Sequence, residues 1–283
     1  MLRVGLVDHH LNNFHANKFH DLLHGRLSDR EARIVAAWES DPQGNDWCEG
    51  RGVTRCESPE AVCASSDVVM VLAPDNISDH LALCERVIPN APRVLVDKFL
   101  STTLDDARRI VELAEQHRTG LFSASSLRFA VELEAALEPG EAAAEATARG
   151  MGDWMNYGVH TVSLILGAMG RGISGVLDTG GSRAAEVTLE WSDGRRAWLE
   201  CRSASNQWDS LGWSFGFARG DAWIAGAVRN YDGFYANLMS RTLTFFETGA
   251  SPVSTREMLE TVAVLEAAAR SRVRGGEWEL LGL

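Results

Sequence analysis

The chain has 283 residues, 45% hydrophobic and 23% charged, with a formal net charge of −12. This size allows one large or two ordinary domains with a full core, and the composition is that of a globular protein. The acidic balance argues against nucleic acid or an anionic membrane surface as partner, and no apolar run reaches the ~18 residues of a membrane span.

The first half alternates strand and helix. Residues 2–7 (LRVGLV) read as a buried strand with no leader-like basic and apolar segment before it, so a cytoplasmic protein is expected. A helix follows over 13–24, stopped by Gly25, then a strand over 33–38 (RIVAAW). A short helix over 58–64 precedes a third strand over 67–72 (DVVMVL), which ends before Pro74. The spacing then predicts a helix over 78–87 and a strand over 93–96. An amphipathic helix over 104–117, with Ser101, Thr102 and Thr103 as cap candidates, leads to a fifth strand over 121–124. Such an order predicts a doubly wound parallel sheet with helices on both faces, and ligands at the carboxyl ends of its strands.

The pattern changes after about residue 150. A helix over 155–169 precedes runs of strand character over 175–178, 185–191, 196–204, 211–218 and 222–228. SDG at 192–194 and RGD at 219–221 read as hairpin turns, so an open, mainly antiparallel sheet is expected. Helices over 234–248 and 254–274 close the chain, the last with a capping box of Ser254 and Glu257. The fold class is thus α/β, with an N-terminal doubly wound domain over 1–124 and an α+β domain over 125–283. Its last helix is placed to pack back on the first domain. The five cysteines are odd in number and lack CxxC spacing, which reads as free thiols in a reducing compartment rather than a zinc site.

The loop after the first strand should carry GxGxxG if it binds a dinucleotide, because only glycine lets amides approach the pyrophosphate. Here it reads Asp8-His9-His10-Leu11-Asn12-Asn13, without glycine and with a carboxylate facing the phosphates. Asn12, Asn13 and the helix N-terminus remain as donors. Glu39, at the end of the second strand, is either a ribose contact or a solvated carboxylate. Ala73-Pro74 with His80 follows the third strand, and Asp97-Lys98 follows the fourth. An amine just past a buried strand can polarise a carbonyl or alcohol oxygen; otherwise it is a surface lysine. Asn156 and His160, four apart, share one face of the helix over 155–169. An imidazole there can move the proton of a hydroxyl while hydride leaves the same carbon; otherwise it is a core histidine. Ser125, Ser126 and Arg128 follow the fifth strand and can line a cleft. His20 and His24 lie on one helix face, but no third ligand is visible in the sequence, so no metal is expected.

Taken together, these segments resemble the Gfo/Idh/MocA family of sugar and cyclitol dehydrogenases. Pro74 with His80 looks like its proline loop, VLVDKFLSTTLDDARRIVELAEQ over 94–116 like its EKP segment and following helix, and YGVHTVSLILGAMG over 157–170 like its catalytic helix. FFETG and the last helix look like its C-terminal end. The resemblance implies a Rossmann domain that binds NAD or NADP. It also implies a C-terminal sheet that joins homo-oligomers, dimeric or tetrameric. It assigns Lys98 to the reacting oxygen and His160 to acid/base work, with the two facing each other across the active cleft and Asn156 beside them. Asp8, His9, Asn12, Asn13, Glu39, Ala73, Pro74, His80 and Asp97 fall around the cofactor, and Arg128 and Tyr157 towards a small-molecule substrate. Glu39 leans towards NAD by repelling a 2′-phosphate.

The departures are Asp97 for glutamate, Phe99 for the proline after the lysine, Asn156 for aspartate, a shortened stretch over 127–154 with a small alanine-rich insert at 140–148, and the missing glycine loop. They leave a second reading open: a ligand-binding or regulatory protein of the same fold that has lost normal dinucleotide binding.

Overall fold

The computed structural model describes residues 1–137, 142–203 and 212–283. It divides into two compact units, Met1–Ala124 with Leu238–Met258, and Ser125–Asn237 with Leu259–Leu283.

The first unit holds β1 (Leu2–Asp8), α1 (Phe14–His24), β2 (Ala32–Glu39), β3 (Thr54–Arg55), α2 (Pro59–Ser65), β4 (Val68–Val71), α3 (His80–Val87), β5 (Arg93–Asp97), α4 (Leu104–His117) and β6 (Gly120–Ala124). The sheet order is β3-β2-β1-β4-β5-β6, and every neighbouring pair is parallel. This is the Rossmann order, with the chain reversing direction across the sheet between β1 and β4. Val4, Leu6 and Val7 of β1, all of β4, and Val94, Leu95 and Val96 of β5 are buried, as strands covered on both faces must be. Gly5 sits where α2 crosses β1, and a Cβ there would lie 2.4 Å from Val62. That glycine serves strand–helix packing, not phosphate approach. Thr103 caps α4 by accepting from the Asp106 N–H, and the helix buries Ala107, Ile110, Val111, Leu113 and Ala114. The returning segment packs on this unit: the Phe245 ring meets Phe122 at 5.7 Å, and the Arg93 guanidinium donates to the Phe246 carbonyl. β3 was not expected; two residues give no periodicity to read.

The second unit contains α5 (Val131–Ala136), β7 (Glu145–Met151), α6 (Trp154–Met169), β8 (Ile173–Asp178), β9 (Ala184–Trp191), β10 (Arg196–Arg202), β11 (Trp213–Arg219), β12 (Ala222–Val228) and β13 (Glu279–Leu280). The closing helices α7 (Tyr231–Thr248) and α8 (Thr255–Val273) each contribute residues to both units. The second sheet runs β12-β11-β7-β10-β9-β8-β13. Its pairs are antiparallel except β7 with β10, so the sheet is mixed. Residues 140 and 141 of the expected insert over 140–148 lie outside the described residues, and residues 145–148 belong to strand β7. Its sequence, EATARGM, has little strand propensity; pairing on both sides decides the conformation instead. The runs expected over 196–204 and 211–218 are strands ending at Arg202 and starting at Trp213, with residues 204 and 211 outside the described part. Gly194 and Gly220 take φ of 88° and 52° in the two predicted turns.

Ala197, Leu199 and Cys201 of β10 and Val187 and Leu189 of β9 are buried, and α6 packs against β7 and β10. On the open face Trp198 and Trp223 are 42% and 50% exposed. They flank a groove of about 830 Å³, lined also by Thr147, Thr188, Ser214 and Gly216.

All five cysteines are free and buried. Burial pushes the Cys48 and Cys63 thiols up to about 11 and that of Cys201 up to about 12, so the reactive thiolate is scarce at neutral pH. Ellman's reagent should therefore find less than one reactive thiol per native chain and all five after denaturation. Rapid labelling of several thiols in the native protein would contradict this burial.

Candidate active site

At the end of β1 the chain turns through a loop held by two inward-facing carboxylates. Asp8 is fully buried. Its Oδ1 accepts the N–H groups of His9 (2.7 Å) and Ala73 (3.0 Å), and its Oδ2 accepts from the Asn13 amide (2.8 Å). Burial pushes its pKa up to about 7, against the lowering effect of those donors. Asp8 thus ties the β1 loop to the β4 loop. Asn13 caps α1 by accepting from the Ala16 N–H, and its amide also donates to the His10 carbonyl. Asn12 donates to the carbonyls of Gln43 (2.7 Å) and Asn45 (2.8 Å). Both asparagines bind the scaffold.

Because the raised Asp8 pKa favours the protonated form in the folded state, its contribution to stability is full below about pH 4. It is lost as pH rises through about 7, by up to roughly 4 kcal/mol. Urea unfolding of wild type against Asp8→Asn across this range should show a slope in wild type that the variant lacks. Equal slopes would contradict it.

Glu39 is likewise turned inward. It accepts the Leu11 N–H at 2.5 Å and pairs with Arg55 at 2.7 Å, and its side chain is 3% exposed. Leu11 is itself fully buried, so an apolar anchor and a carboxylate together fold the loop down where a glycine turn would stand open. Glu39 thus clamps this loop. The exposed edge beside it carries His9, whose Nδ1 lies 2.9 Å from Ser40 Oγ and 3.4 Å from Asp79.

The ends of β4 and β5 form the second half of this site. Ala73 and Lys98 both adopt left-handed backbone, with φ of 38° and 59°. A non-glycine residue holds that conformation only where its surroundings impose it. Lys98 is 6% exposed, and its Nζ donates to the Pro74 carbonyl at 2.7 Å with Asp75 3.7 Å away. Asp97 Oδ1 accepts the Lys98 N–H at 2.9 Å, and Asp97 Oδ2 bonds the Nδ1 of His15. His80 is fully buried. Its Nε2 lies 2.8 Å from the Leu72 carbonyl, and its Nδ1 3.0 Å from that of Phe99. Burial holds its pKa down, while the carbonyls facing both ring nitrogens and Asp97 act the other way, and the ring ties the two strand-end loops together. Ala73 and Pro74 are buried too, and what they offer is backbone.

In the second unit His160 lies on α6, which Asp153 caps by accepting the Asn156 N–H at 3.0 Å. The His160 ring is 6% exposed and sits edge-on to Trp213 (5.4 Å) and Tyr157 (5.9 Å). Its Nδ1 lies 2.7 Å from Ser125 Oγ, which also accepts the Leu127 N–H. The hydroxyl thereby fixes the ring without the carboxylate that Asn156 replaces. Asn156, Tyr157 and Arg128 are half-buried around this part of the unit. Tyr157 packs over Gly152, where a Cβ would fall 2.3 Å from its ring. Sequence reasoning missed the His160–Ser125 bond and His15. One signal for Lys98 was overlooked: the chain has only two lysines, Lys18 and Lys98, among 27 basic residues.

The donor set fits a nicotinamide dinucleotide at two places. The first turn of α1 is capped by Asn13 and carries no acid, as an anion there requires. The Lys98 amine stands at the carboxyl end of β5. The loop between departs from the glycine pattern, since the His9 and Leu11 amides are taken up by Asp8 and Glu39. His20 and His24 stack at 4.1 Å, and among the described residues no cluster of three or more His, Cys, Asp or Glu could hold a metal.

Residues 5–125 match the model of the Gfo/Idh/MocA oxidoreductase family, described as having an NAD-binding Rossmann fold. The match covers the N-terminal domain, which is thus similar to that of the Gfo/Idh/MocA oxidoreductases. Curated proteins give no match. Solved structures similar over both units include myo-inositol dehydrogenase from Lactobacillus casei in complex with NAD(H) and myo-inositol, at 14% identity and TM-score 0.81, covering 100% of this chain and 97% of that one. Myo-inositol dehydrogenase from Corynebacterium glutamicum matches at 14% identity and TM-score 0.79, covering 100% and 99%. Scyllo-inositol dehydrogenase from Lactobacillus casei, with bound NAD(H) and scyllo-inositol, matches at 13% and 0.78, covering 99% of each chain. At these identities the likeness is one of fold. Among the described residues no helix is long and apolar enough to cross a membrane.

Proposed function

We propose that this chain is an NAD(P)-dependent oxidoreductase acting at a hydroxyl or carbonyl carbon of a sugar, cyclitol or similar small polyol. The observation that carries the reading is Lys98: a nearly buried amine, on imposed backbone, at the carboxyl end of β5. Bound nicotinamide supplies the hydride acceptor for the carbinol carbon, or the donor for the carbonyl. Lys98 donates a hydrogen bond to the substrate oxygen and stabilises negative charge that develops on it. His160 moves the hydroxyl proton. With its Nδ1–H donated to Ser125 Oγ, Nε2 carries the lone pair that acts as base, and in the reductive direction the imidazolium returns the proton. Asn156, Tyr157 and Arg128 orient the polyol hydroxyls. The first turn of α1 and His10 meet the phosphates. NAD is preferred over NADP because Glu39 and Asp41 place carboxylates past β2, where a 2′-phosphate would come, although Arg55 pairs with Glu39 and Asp46.

The inositol dehydrogenases that share the fold support a cyclitol as substrate. Copies pair through the open face of the second sheet at Trp198 and Trp223, as dimer or tetramer, and the buried thiols suit the cytoplasm.

Fluorescence titration of the purified protein with NADH and NADPH tests the reading. Saturable binding, tighter for NADH, is expected. No binding of either nucleotide up to millimolar concentration would overturn it and leave the non-catalytic, ligand-binding reading in its place.

A further inference from the structure

We infer that His15 is a positioning residue: acting through Asp97, it holds the Lys98 amine in place. The inference rests on the proposed role of Lys98 and adds the device that makes the lysine usable.

Left-handed backbone at a lysine is strained and must be over-determined by neighbours. Lys98 is restrained at each end of the residue. Its side chain is drawn to the Pro74 carbonyl at 2.7 Å, and its own N–H is held by Asp97 Oδ1 at 2.9 Å. The second restraint is only as rigid as the Asp97 carboxylate. That carboxylate is 1% exposed, so water cannot orient it. The other oxygen bonds His15 Nδ1, on the first turn of α1, 82 residues away in sequence. The His15 ring is in turn wedged by Phe19 at 5.6 Å and Phe14 at 5.9 Å. A chain of fixed groups therefore runs from the α1 first turn through imidazole and carboxylate to the lysine backbone. Without the imidazole donor, Asp97 Oδ2 loses a buried partner, and the carboxylate turns to recover one. The N–H of Lys98 then loses its anchor, and the left-handed turn relaxes. The same first turn is where the dinucleotide phosphates are proposed to bind, so the linkage joins phosphate binding to the placement of the amine.

The two lysines make this directly observable. Selective ¹³C labelling of lysine ε-carbons gives two side-chain signals, Lys18 and Lys98. Lys18 lies on the same helix as His15, three residues on, and reports any general disturbance of α1. In wild type the ε-protons of an immobilised Lys98 are inequivalent. His15→Phe keeps the ring volume against Phe19 and removes the donor. It should collapse the Lys98 pair to the degenerate signal of a free lysine and leave Lys18 unmoved. His15→Asn places an amide donor near the position of Nδ1 and should restore the inequivalence. Asp97→Asn, which needs no change in α1, should reproduce the collapse. An unchanged Lys98 signal in His15→Phe, or Lys18 moving equally with it, overturns the inference. Adding NADH separates the two proposals. A Lys98 signal that responds to NADH but not to His15→Phe leaves the function standing and removes this inference. The reverse outcome removes the function and leaves the positioning.

Discussion

Lys98→Ala should lower kcat/KM for the polyol substrate by about 10²–10³-fold, the usual cost of losing a fixed donor to a developing oxyanion. The Nζ hydrogen bond to Pro74 and the 6% exposure mean that the amine is preset and little hydrated, so a mobile water is a poor replacement. Lys98→Arg should fail nearly as badly, because a planar guanidinium cannot occupy the space of a compact ammonium on this backbone. His160→Ala should cost about 10²–10⁴-fold and flatten the pH dependence of kcat, and Ser125→Ala should cost less, since it frees the ring without removing it. If both residues serve one step, the double variant will lose far less than the product of the two single losses. Steady-state kinetics of the four proteins decide this, and strictly multiplicative losses would contradict a shared step.

The second large effect is on stability. Asp178 ends β8 with its side chain fully buried. Oδ1 accepts the N–H groups of Gly180 (2.8 Å) and Glu186 (3.1 Å), and Oδ2 pairs with Arg272 of α8 at 2.7 Å. The N–H of Asp178 itself donates to Ser271 Oγ. This joins the last helix to the sheet. Asp178→Ala leaves two turn amides without their acceptor and breaks the pair. Arg272 is 36% exposed and can be rehydrated, which lowers the cost, so a loss of about 2–4 kcal/mol is expected. Arg272→Ala should cost less, because the carboxylate keeps both amides. Urea unfolding followed by tryptophan fluorescence measures both. Equal costs, or a change below about 1 kcal/mol for Asp178→Ala, would contradict this account.

The parallel sheet was legible because its strands are short apolar runs separated by capped helices, as at Thr103 and α4. β7 was not, since Ala146, Ala148 and Gly150 are strand residues only by virtue of β10 and β11 on either side. Lys98 and His160 could be singled out from their places after a strand and on a helix. Their supports could not: Ser125 meets His160 across 35 residues and His15 meets Asp97 across 82, and no local pattern records such pairs. Asp8 and Glu39 stood at the expected strand ends, yet point inward. Which way a strand-end carboxylate turns depends on the loop amides offered to it, here those of His9, Ala73 and Leu11.

The central claim is that hydride passes directly between a substrate carbon and nicotinamide with Lys98 at the oxygen. The most direct measurement is turnover of C-deuterated inositols and sugars with NAD, with the mass of the reduced nucleotide recorded for wild type and Lys98→Ala. The account predicts reduced nucleotide carrying one substrate deuterium from at least one cyclitol or sugar, and near silence in the variant. Reduced nucleotide free of substrate deuterium, undiminished turnover in Lys98→Ala, or no reduction with any of these compounds would contradict it.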